Sequence, residues 1–176
     1  MRWNTTSSFA IEVQFEDIDG GGVVHHPNYL RYLERGRCQA MREIGVPFEK
    51  CLKDGIAFVV AEVNSKYLMP LQFGQRICVL TRLVAMRKSS LKVFQKIVAA
   101  GSIDPEDINS ADFFKLDKNT FFISQLRLVA VELASGRPIS VPQDLRVAGN
   151  CPSEAEFVSN PAWTNVRLQG FTSDSQ

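Results

Sequence analysis

The densest concentration of reactive side chains lies in one stretch, Glu16-Asp17-Ile18-Asp19-Gly20-Gly21-Gly22-Val23-Val24-His25-His26-Pro27-Asn28-Tyr29. Two carboxylates precede a run of glycines, which lets the backbone turn sharply. Two histidines and a proline follow. Pro27 suits the first helical position, where its missing N–H is no loss. The free N–H groups at such a helix start carry partial positive charge, available to an anion or a polarised carbonyl. A carboxylate facing a helix start across a glycine turn suits acyl transfer: one side supplies a nucleophile or base, and the other stabilises the oxyanion. Aspartate and glycine are also common turn residues, so residue types alone make Asp19 a candidate and no more. His25-His26 lacks a third ligand at a recognisable spacing, and neighbouring residues usually point apart, so no metal is expected.

The elements that must hold this stretch follow from periodicity. In residues 10–16, Ile11, Val13 and Phe15 alternate with Glu12, Gln14 and Glu16, the pattern of a half-buried strand. From Asn28, Leu30, Leu33, Arg37, Met41 and Ile44 share one helical face, with Gly45 as the stop. Gly36 and Ala40 lie close to that face. A glycine inside a helix costs about 1 kcal/mol against alanine, and close approach to a sheet is the simplest compensation. After a short helical or irregular link from Pro47 to Gly55, strand-like runs cover Phe58–Leu68, Arg76–Met86, Ser90–Ala99 and Thr120–Leu133. Arg76–Met86 is apolar on both faces and should be central in a sheet. Arg87-Lys88-Ser89 marks a hairpin turn. One strand, a long helix and four strands predict an α+β fold, an antiparallel sheet wrapped around a helix.

The whole-chain properties bound the partners. The chain has 176 residues, 45% hydrophobic and 22% charged, with formal net charge +1. These values suit one soluble domain and give no global field for nucleic acid. Nothing near the start has the charged head and apolar run of a signal peptide, and no run approaches the roughly 20 apolar residues of a membrane span. Cys38, Cys51, Cys78 and Cys151 are scattered without a C-x-x-C pair, which suggests reduced thiols in the cytoplasm. Cys38 falls about three helical turns beyond the histidines, too far for an activating base. Residues 1–149 are expected to form the domain, with Gly101–Asn119 as a polar, acidic, solvated insertion. Residues 150–176 form a Ser-, Asn-, Pro- and Gly-rich tail, docked or loose.

The run F-E-D-I-D-G-G-G-V-V-H-H-P-N-Y-L-R-Y-L-E-R-G-R resembles the signature of the 4-hydroxybenzoyl-CoA thioesterase family of hotdog proteins. It looks closest to the bacterial acyl-CoA thioesterases associated with the Tol-Pal system. The likeness continues through A-F-V-V-A-E-V-N-S-K-Y-L-M-P and A-M-R-K-S-S-L-K-V-F-Q-K-I-V, so it spans roughly residues 10–100. It implies a five-stranded antiparallel sheet around one long central helix. It also implies Asp19, the second acid of D-x-D, as the catalytic carboxylate. The backbone N–H of His26 would polarise the thioester carbonyl, and Arg87 and Lys88 would reach the phosphates of coenzyme A. Glu34 is a rival carboxylate, since other hotdog thioesterases use a helical acid.

The resemblance further implies a homodimer or homotetramer with sites between subunits, and neither cofactor nor metal. His25 and Pro27 depart from the pattern of that branch beside the acyl group, which leaves the acyl group open. Alternatives are a hotdog dehydratase using His26 as base, or a non-catalytic protein that binds acyl-CoA or acyl carrier protein. Acyl carrier protein would also suit Arg87-Lys88 as the carrier in a hydrolysis.

Overall fold

The structure is a computed structural model, and it describes residues 6–102, 113, 116 and 118–149. Its elements are β1 (Ser7–Glu12), α1 (His26–Glu43), α2 (Phe48–Lys53), β2 (Ile56–Tyr67), β3 (Arg76–Met86), β4 (Ser90–Ala99), β5 (Thr120–Glu132) and α3 (Gln143–Gly149). The strands form one antiparallel sheet in the order β1-β3-β4-β5-β2. This is the α+β arrangement expected, with two short helices beside the long one. Both ends of β3 and β4 fall where the periodicity sets them; β3 is flanked by β1 and β4 but is not central as expected, because β1 adds only one strand beyond it and β4 takes the middle.

The first strand differs. It ends at Glu12, and Phe15–Asp17 form a 3-10 turn, leaving Phe15 79% exposed. The apolar alternation runs on past the strand because the Asp17 carboxylate turns the chain instead. Its Oδ2 accepts the Gln14 N–H at 3.1 Å, and the Asp17 N–H donates back to the Gln14 carbonyl. Such local side-chain bonds compete with a sheet ladder. The long helix also begins earlier than Asn28, at His26, with Pro27 in its second position and Gly45 ending it at φ +79°.

Helix α1 lies against β1, β3 and β4. Gly36 sets the closeness of that contact, since a Cβ there would stand 2.5 Å from Val79 Cγ1 and 3.2 Å from Thr81 Oγ1. The core beneath the helix falls into two apolar clusters. Tyr29, Tyr32 and Leu33 pack with Ile77, Val79, Ile97, Phe122 and Leu126 at one end. Ala40 and Met41 pack with Leu83, Leu91, Val93, Leu128 and Ala130 at the other.

Phe113 comes from the stretch expected to be a solvated insertion. It is buried on the outer face of the sheet, with Leu80, Val84, Phe94, Val98 and Ile123. The Arg82 guanidinium sits 4.0 Å above its ring, and burial draws Arg82 down to about 10. Most of that insertion and the tail 150–176 lie outside the described residues.

Candidate active site

Ile18 to Val24 form a small hairpin, closed by a bridge between those two residues. The Asp19 N–H donates to the Val23 carbonyl at 2.9 Å, and the Gly22 N–H to the Asp19 carbonyl at 3.0 Å. Gly22, at φ +78°, makes the turn in a conformation that side-chain-bearing residues rarely adopt. The Asp19 side chain joins the turn through one oxygen, with Oδ1 accepting the Gly21 N–H at 2.8 Å. The residue is exposed, and Oδ2 has no partner among the described residues. One oxygen is held and the other faces outward.

Asp17 has the opposite environment. It is 8% exposed, and its carboxylate serves the 3-10 turn. Tyr32 lies beside it: burial first, and contact with Asp17 second, push the phenol well above its ordinary range. The Asp17 carbonyl receives the His25 N–H at 2.8 Å and Asn28 Nδ2 at 3.1 Å. These two bonds fasten the start of the hairpin to the start of α1.

The His26 N–H opens α1 and has no acceptor among the described residues. An unspent donor at a helix start is where the fold leaves partial positive charge exposed. The peptide on the other side of His26 is held in place. Tyr67, at the end of β2, donates its hydroxyl to the His26 carbonyl at 2.9 Å. Its ring packs on Tyr29 and Phe122 at 5.1 and 4.8 Å between centroids. Tyr29 in turn accepts the Leu71 N–H at 3.0 Å. Burial pushes the Tyr29 phenol up, against the lowering effect of the hydrogen bond from Leu71. The His25 and His26 rings meet edge to face at 4.7 Å, and both residues are exposed.

Asn28 and Tyr67 were not legible as site residues. Each lies in a plain helical or strand pattern, and only the fold shows its hydroxyl or amide on the hairpin or helix start.

Arg87 and Lys88 occupy the turn joining β3 and β4, at the end where Met86 pairs with Leu91. That is the end of the sheet where the C-terminal half of α1 packs. An 18-residue helix spans about 27 Å, so one chain does not bring these cations beside Asp19 and His26. Helix α3 braces their turn. Val141 N–H donates to the Lys88 carbonyl at 2.8 Å, and Arg146 Nη2 donates to the carbonyls of Arg87 and Lys88.

The rival groups are placed as well. Glu34 is exposed on α1, eight residues beyond His26. Burial pushes the Cys38 thiol up, against a thiolate nucleophile.

The chain was compared with known proteins. Residues 13–149 match the family model of the thioesterase-like superfamily. An acyl-CoA thioester hydrolase, YbgC of Escherichia coli O6:H1, is 33% identical over 98 residues, covering 55% of this chain and 73% of that protein. An acyl-CoA thioesterase, YbgC of Helicobacter pylori, is 28% identical over 131 residues, covering 74% and 90%. The 1,4-dihydroxy-2-naphthoyl-CoA thioesterase of Synechocystis superposes with a TM-score of 0.68 at 17% identity, over 81% of this chain and 94% of that one. That likeness concerns the fold. Sheet, helix and the match over residues 13–149 agree, and this chain belongs to the thioesterase-like superfamily, with a hotdog-like fold.

Proposed function

We propose that the chain hydrolyses acyl-CoA thioesters, with Asp19 as the reacting carboxylate and the His26 N–H polarising the thioester carbonyl. The observation that carries this reading is the pairing of an outward Asp19 oxygen with an unspent helix-start N–H, on segments bonded together through Asp17, His25 and Asn28. Asp19 would attack the carbonyl carbon and expel the thiolate of coenzyme A, leaving a mixed anhydride for water to open. The alternative within the same geometry is that Asp19 takes a proton from the attacking water. In both cases the oxyanion forms at the His26 N–H. The E. coli and H. pylori relatives, named for acyl-CoA ester hydrolysis, support the reaction class.

The working unit in this reading is a dimer, with the sheet wrapped around α1 in each copy. Strand β2 lies at the sheet edge, paired only with β5, and leaves Val59, Val60, Val63 and Tyr67 half exposed. Long apolar edges of that kind are ordinarily covered. A second copy across β2 would bring its Arg87-Lys88 turn toward the first copy's Asp19 and reach the phosphates of coenzyme A. The outer face offers less to a larger assembly, because the chain's own Phe113 already covers its apolar residues. Among the described residues, no helix is long and apolar enough to cross a membrane. Free Cys38, Cys51 and Cys78 suit a reducing, cytoplasmic setting.

Incubation with a panel of acyl-CoA esters, with free thiol as the readout, tests the reaction. Thiol release that disappears in Asp19→Ala supports it. Tight binding of the esters without thiol release, or water loss from hydroxyacyl esters, would replace it with a binding or dehydratase role.

A further inference from the structure

One row of the sheet breaks its apolar inner face. Ser7 pairs with Thr81, Thr81 with Gln95, Gln95 with Ser124, and Ser124 with Ser65. Each of the five strands thus contributes one polar side chain to the same transverse line, between the two apolar clusters. Gln95 is fully buried and fully engaged. Its Nε2 donates to Thr81 Oγ1 at 2.7 Å and to the Leu33 carbonyl at 2.9 Å, which fixes the amide and turns Oε1 toward α1. There it accepts Nη1 of Arg37 at 2.9 Å. Ser65 and Ser124 share a hydroxyl hydrogen bond of 2.8 Å further along the row.

Arg37 is the unexplained member. It is only 7% exposed, yet among the described residues it has one hydrogen-bond acceptor and no carboxylate within ion-pairing distance. A guanidinium carries five donors, and a buried charge ordinarily demands a counter-charge. Burial draws Arg37 below its ordinary range, opposed by the charge of Glu34, three residues back, and then by Cys38. Its place gives the missing partner a location. Next to Arg37, Gly36 rests on Val79 and Thr81 of β3, while Arg37 extends past them to β4. It therefore points toward the side of α1 beyond which the inner face of β2 lies open, with Val60 and Val63 half exposed, while the inner residues of β5 between them are buried. Tyr67, which touches the His26 carbonyl, is two residues from Ser65 along β2, a separation of about 7 Å.

We propose that Arg37, held by Gln95, is the anion-binding end of the acyl site, selecting acyl groups that carry a carboxylate about one ring or six carbons from the thioester. This rests on the hydrolase reading and names its substrate class. The thioester carbonyl lies at His26, the acyl group runs along α1 over the half-exposed inner face of β2, and its terminal carboxylate meets the free guanidinium donors. The Ser65 hydroxyl flanks the path.

The test compares esters that differ only at the far end: adipoyl-CoA against hexanoyl-CoA, and 4-carboxybenzoyl-CoA against 4-methylbenzoyl-CoA. The coenzyme A half cancels in each ratio. The wild-type protein should favour the carboxylated ester in kcat/KM by about 10- to 100-fold, because a charge-assisted pair is gained. Arg37→Met should reverse that ratio, and Arg37→Lys should restore part of it. If Arg37→Met fails to fold, the wild-type ratio alone decides. Turnover of both esters without preference, or with preference for the neutral one, overturns the anion site and leaves the hydrolase reading standing. That result together with dissociation of the Arg37→Met assembly would assign Arg37 to a carboxylate of the second copy. Turnover of neither pair, nor of any ester in the wider panel, overturns the hydrolase reading and this proposal with it.

Discussion

The side-chain amide of Asn28 donates to the backbone carbonyl of Asp17 across 3.1 Å, tying the first acid of D-x-D to the first turn of the long helix. The same carbonyl takes the His25 N–H. Asn28→Ala should therefore loosen the hairpin against α1. Losing a buried hydrogen bond of this kind costs about 1–3 kcal/mol, and a small misplacement of reacting groups can cost on the order of 10²-fold in rate. We expect kcat to fall by about 10- to 100-fold with KM little changed. Unaltered kcat in a variant of reduced thermal stability would make Asn28 a purely structural residue.

Asp17 and Asp19 should separate cleanly on substitution. Asp19→Ala removes the outward carboxylate and should leave only binding and carbonyl polarisation. Comparable catalytic systems retain on the order of 10³–10⁴ over water after such a loss. Asp19→Asn needs care, since an Asn before Gly20 deamidates readily and regenerates aspartate. Asp17→Asn keeps an acceptor for the Gln14 N–H and should keep most of the turnover, with circular dichroism like the parent's. A dead Asp17→Asn beside an active Asp19→Ala would reverse the assignment.

The turn that carries both acids was legible in the residues; their opposite environments were not. The D-x-D-glycine stretch announced a carboxylate opposite a helix start because proline and glycine leave so few backbone choices. Strand β1 was displaced by about three residues because Val13 and Phe15 continue the alternation after Asp17 has begun to turn the chain. Arg37 fell on the same helical face as Leu33 and Met41, and its role did not show there. Its partner Gln95 lies 58 residues away and becomes its neighbour only through the register of β3 with β4. Phe113 gave no signal either. The pair Phe113-Phe114 in an acidic stretch looks solvated until the outer face of the sheet is there to receive Phe113.

Arg87→Ala/Lys88→Ala should raise KM for coenzyme A esters, more at low ionic strength than at high, because exposed charges are screened. Their backbone carbonyls would still accept from Arg146, so the turn should persist. KM unchanged at low salt would remove these cations from the binding of coenzyme A.

Val63→Glu places a charge on the half-exposed inner face of the edge strand. If a second copy covers β2, the variant should sediment as a monomer at micromolar concentration and lose turnover, since the phosphate-binding turn would leave with the partner. A parent protein that is monomeric and fully active, or a Val63→Glu variant that stays assembled, would show that β2 is not the shared edge.

Gly36 leaves no clearance between α1 and β3, as a methyl group there would already collide with Val79. No substrate group can therefore enter between α1 and β3 at that point. In the proposed reading, room for larger acyl groups lies on the opposite flank, where Val60 and Val63 are half exposed. Exchanging those two side chains for smaller or larger ones is the available dial for acyl size. The hairpin bearing Asp19 and the first turn of α1 would keep their alignment at every setting.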